Sequence, residues 1–172
     1  DDAATVAALS EQYGIERDTI PVTWRTYNGG IVYGGIGPMQ DGVCPVMLKY
    51  RSLARDGRGK RSNRVLYNQG QRGMPPPAIY FGRLGASVVV VGGEEKAAAA
   101  WQAGYSALCP LLGESVLHAR WCQWLIDGRA PKIILAHDHD DAGEKATKAT
   151  IDKLIEMGCP KTRIARIRWD PH

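Results

Sequence analysis

Val88-Val89-Val90-Val91 restricts the fold more than any other stretch of this chain. Four β-branched residues in a row favour a strand, and side chains on a strand alternate between its faces. With no polar residue on either face, the strand must be covered on both sides, as in a parallel sheet flanked by helices. The sequence that follows repeats the unit. Gly92-Gly93 forms a turn, and Glu94 to Ala103 forms a helix with acids in its first turn and Gly104 as its stop. Ala107-Leu108-Cys109 is a short second strand. Val116 to Asp127 is a second helix, with Leu117, Trp121, Trp124 and Leu125 on one core-facing stripe. Ile133 to Ala136 is the third strand; the helix Ala142–Met157 follows, capped by Asp141 and stopped at Gly158. Arg163 to Trp169 alternates as an edge strand. From Ser87 onward the chain reads β-α-β-α-β-α-β, which predicts an α/β fold with a parallel four-stranded sheet.

The third strand ends in His137-Asp138-His139-Asp140-Asp141. Ligands of open α/β sheets bind beyond the carboxyl ends of the strands. Carboxylates gathered there repel one another unless a cation neutralises them. Asp138 and Asp140 are two apart, so on extended backbone they point to one side, with His137 and His139 on the other. Oxygen ligands of this kind suit Mg²⁺ or Mn²⁺. The same residues would also serve as a solvated turn that caps the next helix.

Upstream the pattern differs. Residues 3–13 form an Ala-rich helix ended by Gly14. Val22 to Met47 breaks into short strand-like pieces between glycine pairs, with Asp41-Gly42 as a hairpin turn. Lys49 to Arg72 carries Lys49, Arg51, Arg55, Arg58, Lys60, Arg61, Arg64 and Arg72 against Asp56 alone. Such a segment is either a solvated face or a groove that tracks phosphates, with Tyr50 and Tyr67 available for stacking. Pro75-Pro76-Pro77 stiffens the crossing to the second lobe. The expected division is therefore a small basic α+β lobe at 1–82 and the α/β domain at 83–172. No run approaches the roughly 18 apolar residues of a membrane span. Cys44, Cys109, Cys122 and Cys159 show no C-x-x-C spacing, which points away from a zinc ribbon and toward a reduced, cytoplasmic setting. The first residue is not Met, so a piece of a longer protein is expected.

Taken together, Val88–Gly93, Ala97–Gly104, Leu112-Gly113 and Ile134–Glu144 resemble the Toprim domain of DnaG-type primases, topoisomerases, RecR-like repair proteins and OLD-type nucleases. That family has one apolar strand ending in Glu-Gly and a later one ending in Asp-x-Asp. Asp138-His139-Asp140-Asp141-Ala142-Gly143 resembles the primase form. Gly42–Arg51, Asn68 and Ile79-Tyr80-Phe81-Gly82 resemble segments of the basic lobe that precedes it in primases. The resemblance implies a primase core that makes primers on single-stranded DNA from nucleoside triphosphates, working with a replicative helicase in trans or fused. It implies catalytic roles for Glu94, Asp138 and Asp140, and Mg²⁺ or Mn²⁺ on Asp138, Asp140 and Asp141. Lys49, Arg51, Lys60, Arg61, Arg64 and Asn68 would bind nucleic acid or nucleotide. Gly92 stands where the family has its acid. Three arrangements follow: Glu94 substitutes, Asp138 and Asp140 work alone, or the domain only binds nucleic acid. A Toprim nuclease is the other enzymatic reading.

Overall fold

The computed structural model describes residues 2–19, 24–27, 30–35, 47–55, 57, 61–66, 78–82, 85–111 and 116–167. The hairpin turn expected at Asp41-Gly42, the Pro75–Pro77 crossing, Leu112-Gly113 and Trp169 lie outside them. The chain runs α1 (Asp2–Tyr13), β1 (Arg25–Tyr27), β2 (Gly30–Gly35), β3 (Met47–Arg55), β4 (Arg61–Leu66), β5 (Ala78–Phe81), β6 (Val88–Val91), α2 (Glu94–Gln102), β7 (Ser106–Pro110), α3 (Ala119–Asp127), β8 (Ile133–Ala136), α4 (Asp141–Glu156) and β9 (Ile164–Arg166). β1 to β4 form an antiparallel meander. The second sheet has the order β5-β7-β6-β8-β9.

All four expected parallel strands are present, since β7, β6, β8 and β9 pair in parallel. The sheet has one strand more than expected: β5 pairs antiparallel with β7, from Ala78↔Pro110 to Phe81↔Ala107. A division of the chain at 82 assigns β5 to the first lobe, but its hydrogen bonds make it the edge of the second sheet.

The four valines divide between the two faces. Val88 and Val90 pack against Leu117, Trp121, Cys122 and Leu125 around α3, and against Leu154 of α4. Val89 and Val91 face Ala97 and Ala98 of α2 together with Leu9, Ile15, Trp24, Ile31 and Tyr33 from the N-terminal elements. The first lobe thus shares a core with the second. Trp24 stands edge-on to Tyr33 and Phe81, at centroid distances of 4.8 and 5.9 Å. Gln102 ties the end of α1 to α2: its amide donates to Gly14 O at 3.2 Å and its oxygen accepts from Glu16 N at 2.7 Å. No helix among the described residues is long and apolar enough to cross a membrane.

Candidate functional site

β6 and β8 are neighbours, with Val91 paired to Ala136, so the turns that follow them lie side by side at one edge of the sheet. The first turn is short. Gly93 is the extended N-cap of α2, and Glu94 and Glu95 are already its first helical residues. Glu94 therefore opens the helix, as the sequence predicts, and does not extend the strand past Gly92. Glu94 and Glu95 are 1% and 4% exposed. A helix N-terminus favours carboxylates, but burial at this level requires direct partners.

The first lobe supplies them. Lys49 and Arg51 are two apart on β3 and share one face, and Tyr33 on β2 sits opposite Lys49. Lys49 pairs with Glu94. Arg51 Nη1 donates to both Glu95 oxygens at 2.8 Å and lies 3.8 Å from Glu94 Oε2. The Tyr33 hydroxyl donates to Glu95 Oε1 at 2.6 Å. Burial, reinforced by the Glu95 charge, holds the Tyr33 hydroxyl far above its usual range, so it remains a donor. Burial is the largest single influence on Arg51 and would weaken its charge, but the Glu95 carboxylate together with Tyr33, Tyr13 and Glu94 outweighs it and raises the Arg51 pKa.

The second turn is built differently. Asp140, not Asp141, caps α4: its Oδ1 accepts from Gly143 N at 2.7 Å. Asp141 opens the helix and is exposed. A Cβ at Gly143 would stand 2.1 Å from the Asp138 carbonyl oxygen, so the helix start and the acidic turn touch backbone to backbone. His137 faces inward, its Nδ1 2.9 Å from Thr147 Oγ1, and burial lowers its pKa although Asp138 pulls it upward. His139 is exposed. Asp138 is about half exposed and pairs with Lys96 of α2.

Residues 91–171 match a family model described as Toprim-like, Toprim_2. Residues 91–171 form a Toprim-like domain. Its surroundings agree. The crystal structure of the primase fragment of the bacteriophage T7 primase-helicase protein superposes with a TM-score of 0.57 at 20% identity, covering 91% of this chain and 62% of that one. A DNA primase domain from Pseudomonas aeruginosa gives 0.55 at 15% identity, covering 82% of this chain and 44% of that one. At such identities the likeness is one of fold, and this chain spans less than two thirds of either structure. A comparison with curated protein sequences found no match.

Toprim domains generally bind a divalent metal, which makes the donor set of this one informative. Among the described residues, no three His, Cys, Asp or Glu side chains converge to hold an ion. Glu94 and Glu95 are committed to β3. Asp138, Asp140 and Asp141 offer exposed, hard oxygen donors, and Asp138 already draws a cationic group, Lys96. This set fits a metal that brings phosphate and water oxygens with it, for which one or two carboxylates suffice. It does not form a closed three-carboxylate cage.

Among the residues expected to touch nucleic acid, Lys49 is 7% exposed and turned to Glu94. Arg51 is turned to Glu95. Arg61 and Arg64 lie on β4, where Arg64 pairs with Tyr50 and Arg61 with Arg55 of β3. Lys60 and Asn68 lie outside the described residues. The sequence alone assigned no role to Tyr33, Glu95 or Lys96. Lys96 did carry a signal, because a cation in the first turn of a helix opposes the helix dipole.

Proposed function

We propose that this chain is the core of a primase, binding single-stranded DNA and nucleoside triphosphates at the carboxyl edge of the Toprim sheet and joining nucleotides into primers. The observation that carries this reading is the docking of Lys49 and Arg51 from the basic sheet onto the first turn of α2, beside the Asp138 turn. That contact brings the basic lobe close to the acidic motif and so supports a single site, within a fold shared with two primase structures. Asp138 and Asp140 would hold Mg²⁺ or Mn²⁺ together with nucleotide phosphates; the ion supplies charge neutralisation during displacement at the α-phosphate. Lys49 and Arg51 fix Glu94 and Glu95 and so set where α2 begins. Arg61 and Arg64, with Lys60 and Asn68, contact template or nucleotide independently of sequence. A helicase, fused or in trans, is the expected partner.

Gly92 at the family's acidic position and Lys96 on Asp138 favour a second reading, a Toprim module that binds nucleic acid without chemistry. One set of assays separates the readings. Primer synthesis on single-stranded DNA with ribonucleotides and Mg²⁺ or Mn²⁺, abolished by Asp138→Ala or Asp140→Ala, supports the first. Binding that survives both substitutions, with no metal-dependent product under any condition, supports the second. Release of fragments from DNA would instead make the chain a nuclease.

A further inference from the structure

The two strand ends of the site are neutralised in unlike ways. Glu94 meets Lys49 in the interior, where the side chains are 2% and 8% exposed. Asp138 meets Lys96 in solvent, where they are 51% and 46% exposed. Exposed ion pairs are weak and screened by salt, so the second pair exchanges readily while the first does not. Lys96 is also poorly placed for helix stability, in the first turn of α2. Lysine carries a compact charge with three donors on a flexible stem, which suits it to phosphate oxygens.

We infer that Lys96 is a displaceable counter-ion for the site. Without nucleotide it neutralises Asp138. When a nucleoside triphosphate arrives with its divalent cation, Lys96 yields Asp138 to the metal and turns to the triphosphate. Metal loading is thereby coupled to nucleotide arrival, and a bare cation competes poorly. The inference rests on the nucleotide-binding reading above.

Mn²⁺ binding to the whole chain, followed by electron paramagnetic resonance without nucleotide, tests the first half. Lys96→Met keeps the stem length and a good helix former, and circular dichroism verifies the fold. Removing the competing ammonium should tighten Mn²⁺ binding by roughly two- to fivefold, and adding Asp138→Asn should cancel the gain. ATP binding in the presence of Mg²⁺ tests the second half: Lys96→Met should weaken it about tenfold, the loss expected for one charge-assisted contact to phosphate. Equal Mn²⁺ affinity in wild type and Lys96→Met overturns the inference, as does unchanged ATP affinity. If wild type binds ATP and makes primers while either of these holds, only the Lys96 role falls. If neither protein binds Mn²⁺ or ATP, the primase reading falls with it.

Discussion

Glu94 and Asp138 illustrate how burial decides the energetic weight of a charge. Removing Lys49 strands the Glu94 carboxylate in the interior, with Arg51 at 3.8 Å as its remaining cation among the described residues. Lys49→Met should therefore destabilise the fold by about 3 kcal/mol. Replacing both partners, Lys49→Met with Glu94→Gln, should recover most of that loss, because the cost comes from an unpaired charge. Asp138→Asn weakens an exposed pair and should shift stability by less than about 1 kcal/mol. Urea midpoints of the four proteins check this; equal losses for Lys49→Met and Asp138→Asn would show that the two pairs do not differ. Little of this contrast was legible in the sequence. Asp138 was, because charge at the end of an apolar run is a local signal. The burial of Glu94 was not, since it depends on Lys49 of a distant strand, which no local pattern announces. Lys49 and Arg51 read as an open basic face because their partners lie some 45 residues further along the chain.

At the level of elements, local chemistry foretold most of the second sheet. The valine run, the charged helix after Asp140 and the glycine at 158 each announce their element without tertiary help. Gly158 adopts φ +87°, as a helix stop requires. β5 shows the limit, because nothing in Ala78–Phe81 says which sheet it will join. The α4 cap separates two roles of one residue. Asp140→Ala should cost about 1 kcal/mol by removing the acceptor for Gly143 N, whereas Asp140→Asn keeps an acceptor oxygen and the helix. The asparagine variant should therefore melt like wild type yet lose primer synthesis, if the carboxylate serves phosphate chemistry. The cap of α3 adds a pH dependence. His118 accepts from Arg120 N at 3.2 Å, which it can do only while that ring nitrogen is unprotonated. Burial, aided by Lys153 and Arg120, lowers its pKa below 6.5. A base with a lowered folded pKa stabilises the fold fully above its unfolded value, and that contribution is lost as pH falls from about 6.5 through the folded pKa. Melting curves from pH 7 to 5 should be flatter for His118→Asn, which caps at every pH; an identical slope would remove His118 from the account.

Across the whole molecule, the decisive fact is that the lobes do not keep separate cores. Trp24 and Tyr33 belong to the N-terminal elements but pack with Phe81, Val89, Val91 and Ala97 on one face of the Toprim sheet. The Lys49 and Arg51 pairs cross the same boundary. Opening the first lobe would expose that face of the second sheet and strand two buried carboxylates. The lobes should therefore unfold together, as small cooperative units do. Tryptophan reporters make this measurable: Trp24 sits in the shared core, whereas Trp121 lies across the sheet beside Leu117 and Leu125. Two variants, one retaining Trp24 and the other Trp121 as its buried tryptophan, separate the two faces. In each, the fluorescence midpoint should coincide with that of far-ultraviolet circular dichroism. If the Trp24 signal is lost at lower denaturant than the circular dichroism of the same protein, the shared face opens first. In that case the buried pairs at β3 and α2 do not couple the basic lobe to the acidic turn, and the two halves of the proposed site are joined only by the chain.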